Sequence, residues 1–137
     1  MSIYRLVLLF FLLSSFTKTP VTSSLVVELK NIRLNLGGTL YIMVVDKNDN
    51  PLYKLTRPLK ESNPIFTFDK LPQGGEYAIR VYHDQNNNGQ LDKGVFGQPI
   101  EGWGVSNDVR GFMSAPSLKK MLVKLDQPRH INVNLCY

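Results

Sequence analysis

The chain has 137 residues, of which 43% are hydrophobic, 20% charged and 10% aromatic. That is material for one domain with an ordinary core, and it excludes a disordered or membrane-embedded chain. The formal charge is +5, and no cluster of Lys and Arg is interleaved with aromatics, so nucleic acid is excluded as the expected partner.

In chain order, a short start carrying Arg5 leads into an unbroken apolar run at 6–13, followed by small and hydroxylated residues to Ser24. A charged tip, a short apolar stretch and a small-residue exit are the parts of a secretory signal peptide, and the run is too short to span a bilayer. Thr22 and Ser24 sit at the small positions before a cut, so the expected organisation is a signal peptide at 1–24 and a single mature domain at 25–137. The expected location is exported, periplasmic or secreted, with no integral membrane segment after the signal.

From Leu25 the pattern is β. Leu25, Val27 and Leu29 alternate with Val26, Glu28 and Lys30, the period of a half-buried strand. Gly37 and Gly38 supply a turn, and the β-branched and aromatic stretch 39–45 reads as a central strand. A turn follows at 46–51, where Asp46, Asn48 and Asn50 share the spacing of a cation loop but Pro51 occupies the place of its glycine. The stretch 52–63 is ambiguous, interrupted by Pro58. Short strands are expected at 65–68 and 77–83, joined through Pro72 and Gly74-Gly75. On the second of these, Tyr77, Ile79, Val81 and His83 share one face. A long glycine-rich segment then leads to closing strands at 118–125 and 131–137. Lys119, Lys120 and Lys124 read as charges protecting an edge, and Cys136, the lone cysteine, as a small hydrophobe ending the last strand. The expected fold is all-β, a two-sheet antiparallel sandwich of about seven strands.

The chemistry concentrates in Asp84 to Asp92, DQNNNGQLD. Asp84, Asn86 and Asn88 occupy the first, third and fifth places of an EF-hand-type calcium loop, with Gly89 at the sixth and Asp92 at the ninth. Alternate side chains in a tight loop can all point at one hard cation, and Gln90 would add its backbone carbonyl from the seventh place. The twelfth place should carry a bidentate Glu but holds Val95, so Glu101 is the candidate closing ligand, with Asp108 second. The expected cofactor is calcium, bound at the weak end for extracellular modules, roughly 10⁻⁴ to 10⁻³ M. The competing reading is a plain hairpin turn built on Asn88-Gly89.

Phe66 to Phe68, Leu71-Pro72, Gly75 and Tyr77 resemble the corner of transthyretin-like sandwich domains, of the broader immunoglobulin-like architecture. The stretch HDQNNNGQLDKGVFGQPIEGWGVSND, 83–108, resembles the hallmark of a secreted bacterial family catalogued as domain of unknown function 2141. His-Asp, an Asn/Gly/Asp loop, Gly-x-Pro-x-Glu-Gly and an aromatic-Gly-x-Ser-Asn end are all present, with Trp103 where that family usually shows Tyr. The resemblance implies a secreted sandwich with a metal loop and brings no established activity.

The expected function is therefore an exported binding or structural module with a calcium loop, its partner open between a cell-surface glycan and a protein. One alternative is a carbohydrate-binding module in which Trp103 and Phe96 stack on sugar; against it, the same rings would fold back and cap the sandwich. The other is a hydrolase using His83, Ser106 and Asp108. Ser106 lacks the G-x-S-x-G elbow, and His83 reads as a structural residue bonded to a loop backbone.

Overall fold

A computed structural model of the protein describes residues 19–111 and 114–137. The apolar run at 6–13, on which the export signal rests, lies outside them. Among the described residues no helix is long and apolar enough to cross a membrane.

Strand β1 spans Thr22–Lys30, β2 Thr39–Asp46, β3 Pro51–Pro58, β4 Ile65–Pro72, β5 Glu76–Asp84 and β6 Gly102–Val105. A single helical turn, α1, spans Leu118–Met121, and β7 (Val123–Lys124) and β8 (Arg129–Asn134) close the chain. They form two sheets, one ordered β4-β1-β8 and a larger one ordered β3-β2-β5-β6 with β7 also on β5. The protein is an all-β, two-sheet sandwich of mostly antiparallel strands. One pair departs from that: β1 and β8, near opposite ends of the chain, run parallel from Leu25↔Arg129 to Lys30↔Asn134.

The core lies between the sheets and follows the alternation in the sequence. Leu25, Val27 and Leu29 of β1 meet Leu40, Ile42 and Val44 of β2, Phe66 and Phe68 of β4, and Tyr77, Ile79 and Val81 of β5. The β4–β5 corner is held by Tyr77, whose hydroxyl donates to the Pro72 carbonyl at 2.7 Å. Gly75 is required there because a Cβ would strike the Tyr77 ring.

Several stretches differ from the sequence reading; β6, for one, lies inside the glycine-rich segment, where no strand is expected. Half of the expected strand at 118–125 is α1, and only Val123–Lys124 is strand. Leu118, Lys119, Lys120 and Met121 favour helix, and Leu118 and Met121, three apart, pack with Val45, Ala78 and Val105 outside the core. Lys119 and Lys120 therefore sit on a helical turn rather than on a strand edge. The ambiguous 52–63 stretch contains β3, antiparallel to β2. It is an edge strand with Pro51 and Pro58 at its ends, where proline costs no ladder bond.

The tail beyond β8 closes one side of the sandwich. Trp103 of β6 and Cys136 exchange backbone hydrogen bonds of 2.9 and 2.8 Å. Gly104 makes room for this tail, since a Cβ there would lie 2.8 Å from the Asn134 carbonyl.

Candidate cation-binding loop

The segment 85–101 links β5 to β6, neighbouring antiparallel strands paired through His83↔Gly102. Asp84, immediately before it, ends β5 opposite Thr39 and is fully buried. Gly38, at φ +86°, allows that burial because a Cβ would collide with the Asp84 carbonyl.

The alternating side chains of DQNNNGQLD converge. Asp84 accepts the N–H groups of Asn88 (3.1 Å) and Gly89 (2.7 Å) on its two carboxylate oxygens. Asp92 accepts the side-chain amides of Asn86 (2.6 Å) and Asn88 (2.9 Å), again one on each oxygen. Gly89 makes the bend at φ +80°, and Asn87 joins it in the left-handed region at φ +59°. Glu101, buried beneath the loop, accepts the N–H groups of Gln85 (2.8 Å) and Asp92 (3.0 Å). Glu101 thus reaches the loop and clasps its two ends. Gln90 donates its N–H to the Asn88 side chain at 2.9 Å.

The electrostatics of this arrangement are one-sided. Among the described residues, none of the five ion pairs involves Asp84, Asp92 or Glu101. Backbone and amide donors alone face these carboxylates, two of which are buried, and buried charge is costly without a partner. Their field reaches Tyr82, whose phenol is pushed up by burial first, then by Tyr41, Asp84 and Glu101. No group of three or more His, Cys, Asp or Glu side chains is gathered for a metal among the described residues; the donors here are mixed, two Asp and two Asn. Turning either Asn amide about its last bond exchanges nitrogen for oxygen. It breaks the bonds that the Asn86 and Asn88 oxygens accept from the Asn88 and Gln90 N–H groups. Only with that rearrangement would the four side chains present the all-oxygen set that hard divalent cations take.

The similarly spaced Asp46 turn behaves differently. Asp46 is not buried and folds onto its own hairpin, accepting the N–H groups of Asn48 (2.8 Å) and Asn50 (2.9 Å) and the Asn50 side chain (2.9 Å). Those Asn50 and Asn48 bonds, with Lys47 nearby, hold its carboxyl below the usual range.

The remaining candidates are scattered. Fully buried His83 has both ring nitrogens engaged, Nδ1 with the Tyr137 hydroxyl at 2.8 Å and Nε2 with the Gly37 carbonyl. A carbonyl only accepts, so Nε2 carries the proton and Tyr137 donates to Nδ1. Buried Ser106 accepts the Ile79 N–H at 3.0 Å and donates to the Met121 carbonyl at 2.5 Å, bridging β5 and α1 where β6 has ended. Its β5 partner, Ile79, lies four residues from His83, and the two side chains share no partner. Asp108 is committed to Asn134 of β8, accepting its N–H at 2.8 Å and its side-chain amide, and does not join the loop. Trp103 is half-buried against the α1 cluster with Arg110 over its ring at 4.9 Å. Phe96, expected to fold back as a cap, is 93% exposed instead.

Sequence reasoning missed the residues that dock the loop. Tyr82, stacked on Tyr41 at 4.6 Å, donates its hydroxyl to the Gly89 carbonyl at 3.2 Å, and Thr39 donates to the Asn87 side chain at 2.7 Å. Only the β2–β5 register brings these together, Tyr41 opposite Tyr82 and Thr39 opposite Asp84.

Fold and site together define a small all-β sandwich whose polar loop of Asp and Asn is set into one end of its larger sheet. The family model described as "Uncharacterized protein conserved in bacteria (DUF2141)" matches residues 27–132, and the chain belongs to that family. No curated protein and no solved structure matches it.

Proposed function

We propose that the protein is an exported binding or structural module whose 84–101 loop holds one calcium ion and is fixed by it. The observation that carries this reading is the pair of buried carboxylates, Asp84 and Glu101, without a basic partner among the described residues and beside a ring formed by Asn86, Asn88 and Asp92. A bound cation would offset the cost of burying those charges. Asp84, Asn86, Asn88 and Asp92 would supply the side-chain oxygens, with the Gln90 carbonyl beside them. Glu101 stands in for the Glu missing at Val95, and its carboxylate keeps lone pairs beyond the two N–H groups it accepts. The ion would replace a loop held by weak amide bonds with one held from its centre.

No specific observation favours the rival readings. Trp103 is covered by Arg110 and Phe96 stands elsewhere, while His83 and Ser106 have separate buried partners. Isothermal titration of the purified protein with calcium tests the proposal. The expected result is one site with a dissociation constant of roughly 10⁻⁴ to 10⁻³ M, lost in Asp84→Asn, which keeps the shape of the side chain while removing its charge. Absence of a calcium heat in the wild-type protein would remove the ion from the account.

A further inference from the structure

We infer that the turn at 93–99 is a lipid-contacting tip, in which Val95 and Phe96 enter the boundary of the acyl layer while Lys93 lies at the level of the phosphates. Val95 is 97% exposed and Phe96 93%, whereas the next most exposed large apolar side chain, Val21, is at 61%. Turn positions ordinarily take Gly, Pro, Asn, Asp or Ser, and nothing in this turn requires two adjacent large apolar residues.

The pair is held out by structure. The Gly94 N–H donates to the Gln98 carbonyl at 2.8 Å, the Gly97 N–H to the Gly94 carbonyl at 2.9 Å, and Lys93 bridges Pro99. The Phe96 N–H is tied to the Gln98 side chain at 3.2 Å. The Ile100 N–H donates to the Asp92 carbonyl at 3.0 Å, joining the turn to the loop below, and Ile100 is itself 59% exposed.

Shape and charge select the occupant. A projecting tip needs a partner that yields around it, and a bilayer does. Of the charged residues at and beside the turn, Glu101 is buried and Asp92 is held in the loop by Asn86 and Asn88, while Lys93 is exposed. The free charge nearest the apolar pair is therefore positive, and its complement is an anionic surface. Lys93 lies two to three residues from the apex, about 7–10 Å at strand rise. Interfacial segments bury their apolar face to about that depth, roughly 5–10 Å. The bonds that shape the turn involve no side chain of the proposed calcium site, so lipid contact stands apart from that reading.

Sedimentation with vesicles tests the inference, comparing phosphatidylglycerol–phosphatidylcholine mixtures with phosphatidylcholine alone, each in calcium and in chelator. The wild-type protein is expected to partition onto the mixed vesicles in both. Replacing Val95 and Phe96 together by Ser should weaken partitioning by about tenfold or more, with the melting midpoint unchanged. Lys93→Gln should weaken the preference for the anionic mixture. All variants keep the same N-terminal segment, so its apolar run contributes equally to each. Equal partitioning of the Val95/Phe96 double variant and the wild type would overturn the inference. So would a wild-type dimer in the absence of lipid that the double variant abolishes, since a second copy would then cover the tip. Lipid contact without a calcium heat, or the reverse, separates this inference from the calcium reading.

Discussion

Glu101 joins the two ends of its loop through a single carboxylate, one oxygen on the Gln85 N–H and the other on the Asp92 N–H. A glutamine in its place accepts with one atom only and turns an NH₂ toward the second N–H, leaving a buried donor unmatched at a cost of about 1–3 kcal/mol. Glu101→Gln is therefore expected to speed hydrogen exchange at the Gln85 or Asp92 amide by about tenfold or more, read by NMR. Unchanged exchange at both would deny Glu101 its clasping role. The alternation of Asp84, Asn86, Asn88 and Asp92 was legible in the sequence because a tight loop turns every second side chain the same way. The partners of Glu101 were not, being backbone groups with no side-chain signature. His83 was legible as a core residue from its strand face, but its bond to Tyr137 depends on the tail crossing to β6.

Among the elements, β1 carries a tension between folding and the proposed export. It starts at Thr22, and Thr22 and Ser23 pair with Pro72 and Leu71 of β4. The same small residues read as the last positions of a signal peptide. If folding of the whole strand governs, the exported protein should begin at or before Thr22; if the small positions govern, it should begin at Leu25. N-terminal sequencing of periplasmic or secreted protein separates the two, and recovery of intact Met1 from the cytosol alone would contradict export. Strands with clean alternation, such as β1 and β5, could be read directly. Pro58 obscured β3 because an edge strand tolerates proline that a central one does not. At 118–125 the run Leu-Lys-Lys-Met-Leu has no period of two, and its burial depends on the outer face of a sheet built from distant residues.

For the whole molecule, buried phenols set an alkaline limit, and the proposed calcium ion would add to stability near neutral pH. Burial is the leading cause that pushes up the phenols of Tyr77, Tyr82 and Tyr137; Asp46 adds to it at Tyr77, and Arg33 partly opposes it at Tyr137. A folded pKa above the unfolded value of about 10 means the unfolded chain releases its protons first. The contribution to stability is complete below about pH 10 and is lost as the pH rises through the folded values. Melting midpoints should fall with increasing steepness from about pH 10 upward, and a flat profile there would contradict the burial of these rings. The most direct test of the central claim is the melting midpoint near neutral pH with and without calcium. With a dissociation constant of about 0.1 mM, free calcium near 1 mM adds about 1.4 kcal/mol, provided only the folded loop holds the ion. For a domain of this size the midpoint should rise by about 5 °C, and Asp84→Asn should abolish the rise. Identical curves for the wild-type protein in calcium and in chelator would contradict the claim and leave the loop a plain turn.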